Sequence, residues 1–415
     1  MNYDTALRNY TSKRIEEIES ADILMGIPCY NNQQTISHVI QMVTHGLAKY
    51  YNDKRCVILI ADGGSTDDTR EMAREFEIKP WQEKIVSIYR GTAGKGTALR
   101  SVFETAKRLK VKVCAMVDSD LRSITEDWVQ YLIDPILEKG YQYVSPVYVR
   151  HKYDGTITNN IVYNLTRALY GKRIRQPIGG DFAISREVAK YYTEQDVWDT
   201  DVARFGIDIW MTTSAVTQGF KICQSNLGVK IHDVKDPGQH LGPMFRQVLS
   251  ALFSMMERYE SYWIDVKGSE KLDIFGFDGT LEPEPVNVNL DLLIDQYKTG
   301  YSQFAPLWKD IFSKSSFKQI SETAKMDTKN FKLPTDVWVK ILYELAATYH
   351  QWSINRNKLL DMMTPLYFGR VASFVNQSWD MSSTEAEALV EEQAEKFENQ
   401  KDYLIKIWEE KSAKK

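Results

Sequence analysis

Up to about residue 240 the chain alternates short apolar runs with stretches whose apolar residues recur at helical spacing. Ile23–Ile27, Val57–Ala61, Lys84–Tyr89 and Val111–Val117 have strand length, and amphipathic segments follow them at Gln34–Ala48, Asp67–Phe76, Thr97–Leu109 and Glu126–Leu137. Continuous apolar runs alternating with helices predict βα units and a mainly parallel sheet buried on both faces. Right-handed crossovers then bring the C-terminal ends of the strands, and the loops that follow them, to one edge. The fold class is therefore α/β.

Beyond that point the period becomes helical throughout. Met244–Trp263, Leu290–Phe312 and Asp336–Met362 carry apolar residues on one face, with Trp338, Ile341, Leu342, Leu345 and Tyr349 aligned in the last of them. Thr335, after Pro334, is the expected N-cap. Residues 382–415 read as a charged helix, and 267–289, with several Gly and Pro, as a linker or ordered loop. The predicted division is an α/β domain over 1–243 and a helical region over 244–415.

Composition narrows the partners. The 415 residues are 43% apolar and 26% charged, with a formal net charge of −4, which suits a globular protein and gives no footprint for nucleic acid. Four scattered cysteines predict neither a disulfide framework nor a zinc site, and with a polar N-terminus and no run of spanning length the expectation is a cytoplasmic protein without a transmembrane segment. The aromatic helical extension suits a homodimer interface.

Candidate chemistry lies where strands end. Val113–Val117 runs into Asp118–Ser119–Asp120, and two carboxylates after a buried strand suit Mg²⁺ or Mn²⁺ bridging two phosphates. Two acids beside a helix start also simply favour the helix dipole. Ile58–Ala61 ends in Asp62–Gly63–Gly64–Ser65, where Asp62 either accepts from a base N–H or shapes an ordinary βα turn. Pro28–Asn32 closes the first strand. Gly94–Lys95–Gly96 places a cation beside backbone N–H groups ahead of a helix, without P-loop spacing. Ile274–Thr280 has Gly276 where an aspartate-nucleophile phosphatase needs its nucleophile, and reads as a turn.

Taken in order, Pro28-x-Tyr30-Asn31, the Asp62–Thr69 run D-G-G-S-T-D-D-T and Asp118-x-Asp120 resemble the GT-A glycosyltransferases of family 2. Gln176–Phe182, Phe205–Asp208 and Gly228–His232 narrow this to a likeness to the retaining mannosylglycerate and glucosyl-3-phosphoglycerate synthases, over roughly residues 20–245. The resemblance implies a Rossmann-like sheet and a metal-dependent transfer of hexose from a nucleotide sugar (UDP-glucose or GDP-mannose type) to a small hydroxy acid such as glycerate or 3-phosphoglycerate. It implies that Pro28, Tyr30 and Asp62 hold the base, Lys95 the diphosphate, and Asp118, Ser119 and Asp120 the ribose and metal. His232 becomes a metal ligand with Asp118 and Asp120, although a lone histidine after an apolar strand is more often structural. Asp208, Gly179 and Gly180 fall at the reacting sugar. Arg150, Thr158 and Asn159, in a loosely corresponding segment, face the acceptor; Arg150 equally fits a solvated basic loop. Asn32 and Asp181 stand where the pattern has Glu. An inverting transfer to a polyprenyl phosphate or glycan, with Asp208 or Asp201 as base, and a nucleotidyltransferase remain as alternatives.

Overall fold

The computed structural model describes residues 3–232, 237–279, 281–352 and 354–413, without the side chains of 237–241 and 243. The chain forms two compact units that interleave along the sequence. One comprises Met1–Val149, Ile174–Val234 and Lys271–Pro283; the other comprises Arg150–Arg173, Lys235–Glu270 and Glu284–Lys415. The boundary expected at 243/244 is thus replaced by two exchanges. Segment 150–173 belongs with the helices, and 271–283 returns to the sheet.

The first unit runs α1 (Asn9–Ile18), β1 (Ile23–Cys29), α2 (Ile36–Tyr50), β2 (Cys56–Asp62), α3 (Thr69–Glu75), β3 (Glu83–Ile88), α4 (Lys95–Leu109), β4 (Val113–Met116), α5 (Glu126–Leu137) and β5 (Tyr143–Val149). It continues with β6 (Phe182–Ser185), helices Arg186–Thr193 and Ile207–Thr217, β7 (Ile222–Val229) and β8 (Ile274–Gly276). The strands form one sheet in the order β3-β2-β1-β4-β6-β5-β7-β8, parallel except that β6 is antiparallel to both neighbours. The mainly parallel sheet read from the sequence is therefore present. Residues 274–276, read as a turn, instead form an edge strand parallel to β7, because Gln224 to Asn226 offer them a free ladder.

Alternation along β1 explains the layers. Ile23, Met25 and Ile27 join Val39, Val43 and Leu47 of α2 and Trp128, Leu132 and Ile133 of α5 in one core. On the opposite face α4 packs so closely that a Cβ at Gly26 would lie 2.6 Å from Val102 Cγ1. All four cysteines are buried and unpaired.

The second unit is helical. Its long helices are Pro237–Arg258, Leu290–Ile311, Thr335–Gln351, Arg356–Ser378, Ser383–Asn399 and Lys401–Ser412. The expected apolar stripe Trp338, Ile341, Leu342, Leu345 and Tyr349 is buried. The single helix expected over Asp336–Met362 is two, separated where Trp352 turns extended and Asn355 adopts φ +51°. The N-cap position belongs to Pro334, with Thr335 the first helical residue. Among the described residues no helix is long and apolar enough to cross a membrane.

Lys152 ties the 150–173 segment into this unit. Its ammonium donates to the carbonyls of Ser378 (2.7 Å), Trp379 (2.9 Å) and Met381 (2.6 Å), at and just beyond the end of a helix. Lys152→Met is expected to lower unfolding free energy by about 1–3 kcal/mol, since charge-assisted bonds of this kind contribute about that much. Urea unfolding with an unchanged midpoint would show that water replaces the ammonium without loss.

Candidate functional site

The first unit gathers its polar residues at one edge of the sheet. Asp62 ends β2, Asp118 to Asp120 follow β4, Lys95 opens the helix after β3, and Lys230 follows β7. Because β6 runs antiparallel, with Phe182 beside Met116, the residues preceding it (Gly179, Gly180 and Asp181) reach this same edge.

At the centre stands Asp118. Its Oδ1 accepts from Lys95 Nζ at 2.8 Å and its Oδ2 from Lys230 Nζ at 2.9 Å. Lys230 Nζ also donates to Asp181 Oδ2 and to the Gly179 carbonyl, each at 2.8 Å, and Lys95 Nζ reaches Asp208 Oδ2 at 3.2 Å. The Asp118 N–H donates to Asp181 Oδ1 at 2.8 Å, and Tyr148 donates its hydroxyl to Asp181 Oδ2. Two ammonium groups thus face three carboxyl groups (Asp118, Asp181 and Asp208) in a largely buried cluster.

Burial by itself raises the Asp118 pKa, but Lys230 and Lys95 overcome it and hold the carboxyl well below the usual carboxylate range. Burial likewise disfavours the Lys95 cation, and Asp118 with Asp208 reverses that, leaving the ammonium above the ordinary lysine value. Asp208 goes the other way. Burial pushes its carboxyl up and Lys95 draws it back only in part. Its Oδ1 is buried without a hydrogen-bond partner, an acceptor suited to a hydroxyl group.

Two glycines let the backbone close around Asp118. Gly180 has φ +91°, and a Cβ there would sit 2.1 Å from Asp118 Oδ2. At Gly179 it would lie 2.3 Å from Pro146 Cγ. Both positions therefore exclude any side chain.

Among the described residues no three His, Cys, Asp or Glu side chains cluster as metal ligands. Both oxygens of Asp118 accept from ammonium groups in this structure. The segments that carry Asp120 and His232 adjoin along the backbone, since Leu121 pairs antiparallel with His232 and the Arg122 N–H donates to the Ile231 carbonyl at 2.9 Å. A half-buried carboxylate and a half-buried imidazole on these two adjoining segments are donor types that suit a divalent ion.

The nucleotide-side residues separate by exposure. Tyr30 is exposed (59%), while Pro28 is buried in β1 and Ser119 is buried with its Oγ on Asn32 Oδ1 at 2.8 Å. Asp62 is fully buried. Its carboxylate accepts from the N–H of Gly64 (2.8 Å) and Ser65 (3.0 Å) and from the Ser65 hydroxyl, so in this conformation it shapes its own turn. Asn31, at φ +54°, joins that turn to the first loop through its N–H to Ser65 Oγ and its Oδ1 from the Thr66 N–H, each 2.9 Å. The Gly94–Gly96 turn is also not an open phosphate nest: the Gly94 N–H donates to Tyr89 and the Gly96 N–H to the Arg204 carbonyl.

Arg150, Thr158 and Asn159 lie in the other unit. Thr158 and Asn159 are buried there; the Asn159 amide donates to the Asp154 carbonyl, and its own carbonyl accepts from Asn164 and Gln393. Arg150 lies 3.5 Å from Asp154. Asp181 and Lys230 were not expected at the site. Lys230 is buried. The signal available for it was its place directly after a strand that ends at the functional edge.

Comparison with known proteins gives a family model, glycosyl transferase family 2, that matches residues 25–192. Glycosyltransferase AglJ of Haloferax volcanii is 26% identical over 200 residues, 47% of this chain and 58% of its own, so the chain spans somewhat more than half of that relative. Glucosyl-3-phosphoglycerate synthase from Mycobacterium tuberculosis, solved with phosphoglyceric acid, is 26% identical over 58% of this chain and 83% of its own, with a TM-score of 0.45. The same enzyme with Mn²⁺, uridine diphosphate and phosphoglyceric acid gives 26%, 58%, 81% and 0.44. The stretch that matches the glycosyl transferase family 2 model, residues 25–192, holds most of β1, all of β2 to β4, Lys95, Asp118, Asp120 and the paired glycines.

Proposed function

We propose that the protein transfers a hexose, with retention, from a nucleoside diphosphate sugar to the hydroxyl of a small hydroxy acid such as glycerate or 3-phosphoglycerate. The observation that carries this reading is the Lys95–Asp118–Lys230 cluster beside Asp208 at the sheet edge of the family 2 domain. The hydroxy-acid acceptor and retention rest on the sequence resemblance.

Lys95 is the cluster's more open cation, its side chain 16% exposed against 3% for Lys230. It stabilises charge that develops on the departing diphosphate, while Lys230 keeps Asp118 fixed. Asp208 presents its unpartnered oxygen to a sugar hydroxyl and opposes positive charge at the reacting carbon. The bond from that carbon to the diphosphate breaks, the acceptor oxygen bonds to the same face, and its proton passes to the leaving phosphate oxygen. Asp120 and His232 would hold a Mg²⁺ or Mn²⁺ ion, which when bound supplies Lewis-acid stabilisation of the diphosphate. A carboxylate that must be ionised and is raised by burial makes turnover rise with pH through a value above the ordinary carboxylate range.

Incubation with UDP-glucose or GDP-mannose, Mn²⁺ and glycerate or 3-phosphoglycerate should give a glycoside whose anomeric configuration by NMR matches the donor's. EDTA should stop it. Inversion at the anomeric carbon would sink the retaining reading, and absence of both transfer and donor hydrolysis across a panel of nucleotide sugars would sink the activity.

A further inference from the structure

Lys95 and Asp208 meet at 3.2 Å although they stand on different helices, and no strand register aligns them. Lys95 is the first residue of α4. Asp208 is the second residue of helix Ile207–Thr217, directly after the short turn Asp201–Ala203 and residues 204–206. What fixes their separation is the contact between the start of α4 and that turn.

The contact is made by backbone. A Cβ at Gly96 would lie 1.8 Å from the Val202 carbonyl oxygen and 2.7 Å from Ala203 C, and at Gly94 it would lie 2.7 Å from the Ala203 oxygen. Real Cβ atoms do not approach so closely, so the 201–204 turn rests on α4 only because Gly96 has no side chain. The Gly96 N–H then donates to the Arg204 carbonyl at 3.1 Å, satisfying one of the donors that a helix N-terminus leaves open. Thr97 Oγ1 adds a longer bond, 3.4 Å, to the Ala203 carbonyl. On the other side the turn is braced by Thr200, whose hydroxyl accepts from the Val202 N–H at 3.2 Å. Asp118 and Lys230 are fixed by their own ion pairs. The lysine–Asp118 cluster is thus held by charge, and the backbone contact at Gly96 sets Asp208 against it.

We infer that Gly96 is a positioning residue for Asp208. It lets the 201–206 segment seat on the start of α4, and so sets the distance from the sugar-facing carboxylate to the lysine that meets the diphosphate. Any side chain at position 96 displaces that segment and Asp208 with it. Lys95, Asp118 and the nucleotide-side loops stay in place. The inference rests on the glycosyltransferase reading above and goes beyond it by separating binding of the nucleotide from turnover of the sugar.

The test uses the full chain and the two variants Gly96→Ala and Thr200→Val. A misplacement of about 1 Å costs on the order of 100-fold in rate. Gly96→Ala should therefore lower kcat by at least tenfold while its affinity for uridine diphosphate, or whichever nucleoside diphosphate the wild type binds, stays within twofold by calorimetry. Thr200→Val, which loosens the same turn without a clash, should show the same split in milder form and covers the case in which Gly96→Ala does not fold. In a double-mutant cycle, Gly96→Ala added to Asp208→Asn should cause no further loss, because the glycine acts through that carboxylate. Full turnover in both variants would overturn the inference. So would a parallel fall of turnover, nucleotide affinity and melting temperature, or losses that multiply with those of Asp208→Asn. A wild-type protein that turns over no nucleotide sugar would instead overturn the reading of the site.

Discussion

Replacing Lys230 by methionine is expected to lower unfolding free energy by about 3–5 kcal/mol, the usual result of deleting one partner of a buried ion pair. The side chain is 3% exposed and its ammonium contacts Asp118, the fully buried Asp181 and the Gly179 carbonyl, so its removal leaves a carboxylate and a carbonyl in a poorly solvated place. The sign of the pH dependence follows from Asp118. Its folded pKa is depressed, so its contribution to stability is present above the ordinary carboxylate value and is lost only as pH falls below it. Without Lys230, one of the two cations opposing burial is gone, and the Asp118 pKa moves back up. The share of the acid-side loss that comes from Asp118 should then be smaller than in the wild type and should end at higher pH, because the folded value lies nearer the unfolded one. Urea unfolding between pH 2 and 8 measures both effects. A loss under 1 kcal/mol with an unmoved acid limb would show that the cluster relaxes and rehydrates without Lys230. Arginine at this position would not restore the wild type, because its planar fork cannot reproduce one nitrogen shared by three oxygens.

Lys230 also marks the limit of what the sequence alone reveals. The strand ends carrying Asp62 and Asp118, and the lysine turn before α4, were legible because apolar runs of strand length lead straight into them. Lys230 and Asp181 were not, for a topological reason. Their meeting with Asp118 depends on β6 entering the sheet antiparallel between β4 and β5, after a connection in which residues 150–173 join the other unit. Periodicity reports which face of an element is buried and not which neighbour covers it. The same blindness put segment 150–173 with the sheet, whereas Thr158 and Asn159 are buried among helices of the other unit. At Trp352–Asn355 the apolar period continues across a break, so two helices read as one. Asp118 differs again. Its residue type and spacing suit a metal ligand, while in the fold lysines stand on either side of its carboxylate.

That difference yields the last expected result, which separates the two acids of Asp118-Ser119-Asp120. Asp120→Asn and His232→Ala should each raise the Mn²⁺ concentration for half-maximal turnover by tenfold or more, since even groups that only support a metal ligand are worth about 10- to 100-fold in affinity. The backbone bridge between Leu121 and His232 survives either change, so the melting temperature without metal should move little. Asp118→Asn should behave in the opposite way. It strands Lys95 and Lys230 beside a neutral amide, lowers the melting temperature, and leaves the Mn²⁺ requirement of the remaining activity close to that of the wild type. Titrating Mn²⁺ against turnover, alongside thermal unfolding in EDTA, reads both quantities for all three variants. A tenfold higher Mn²⁺ requirement in Asp118→Asn would return that residue to the metal site. An unchanged requirement in His232→Ala, with a lower melting temperature, would make the histidine a structural one and leave Asp120 as the protein's single ligand of the pair.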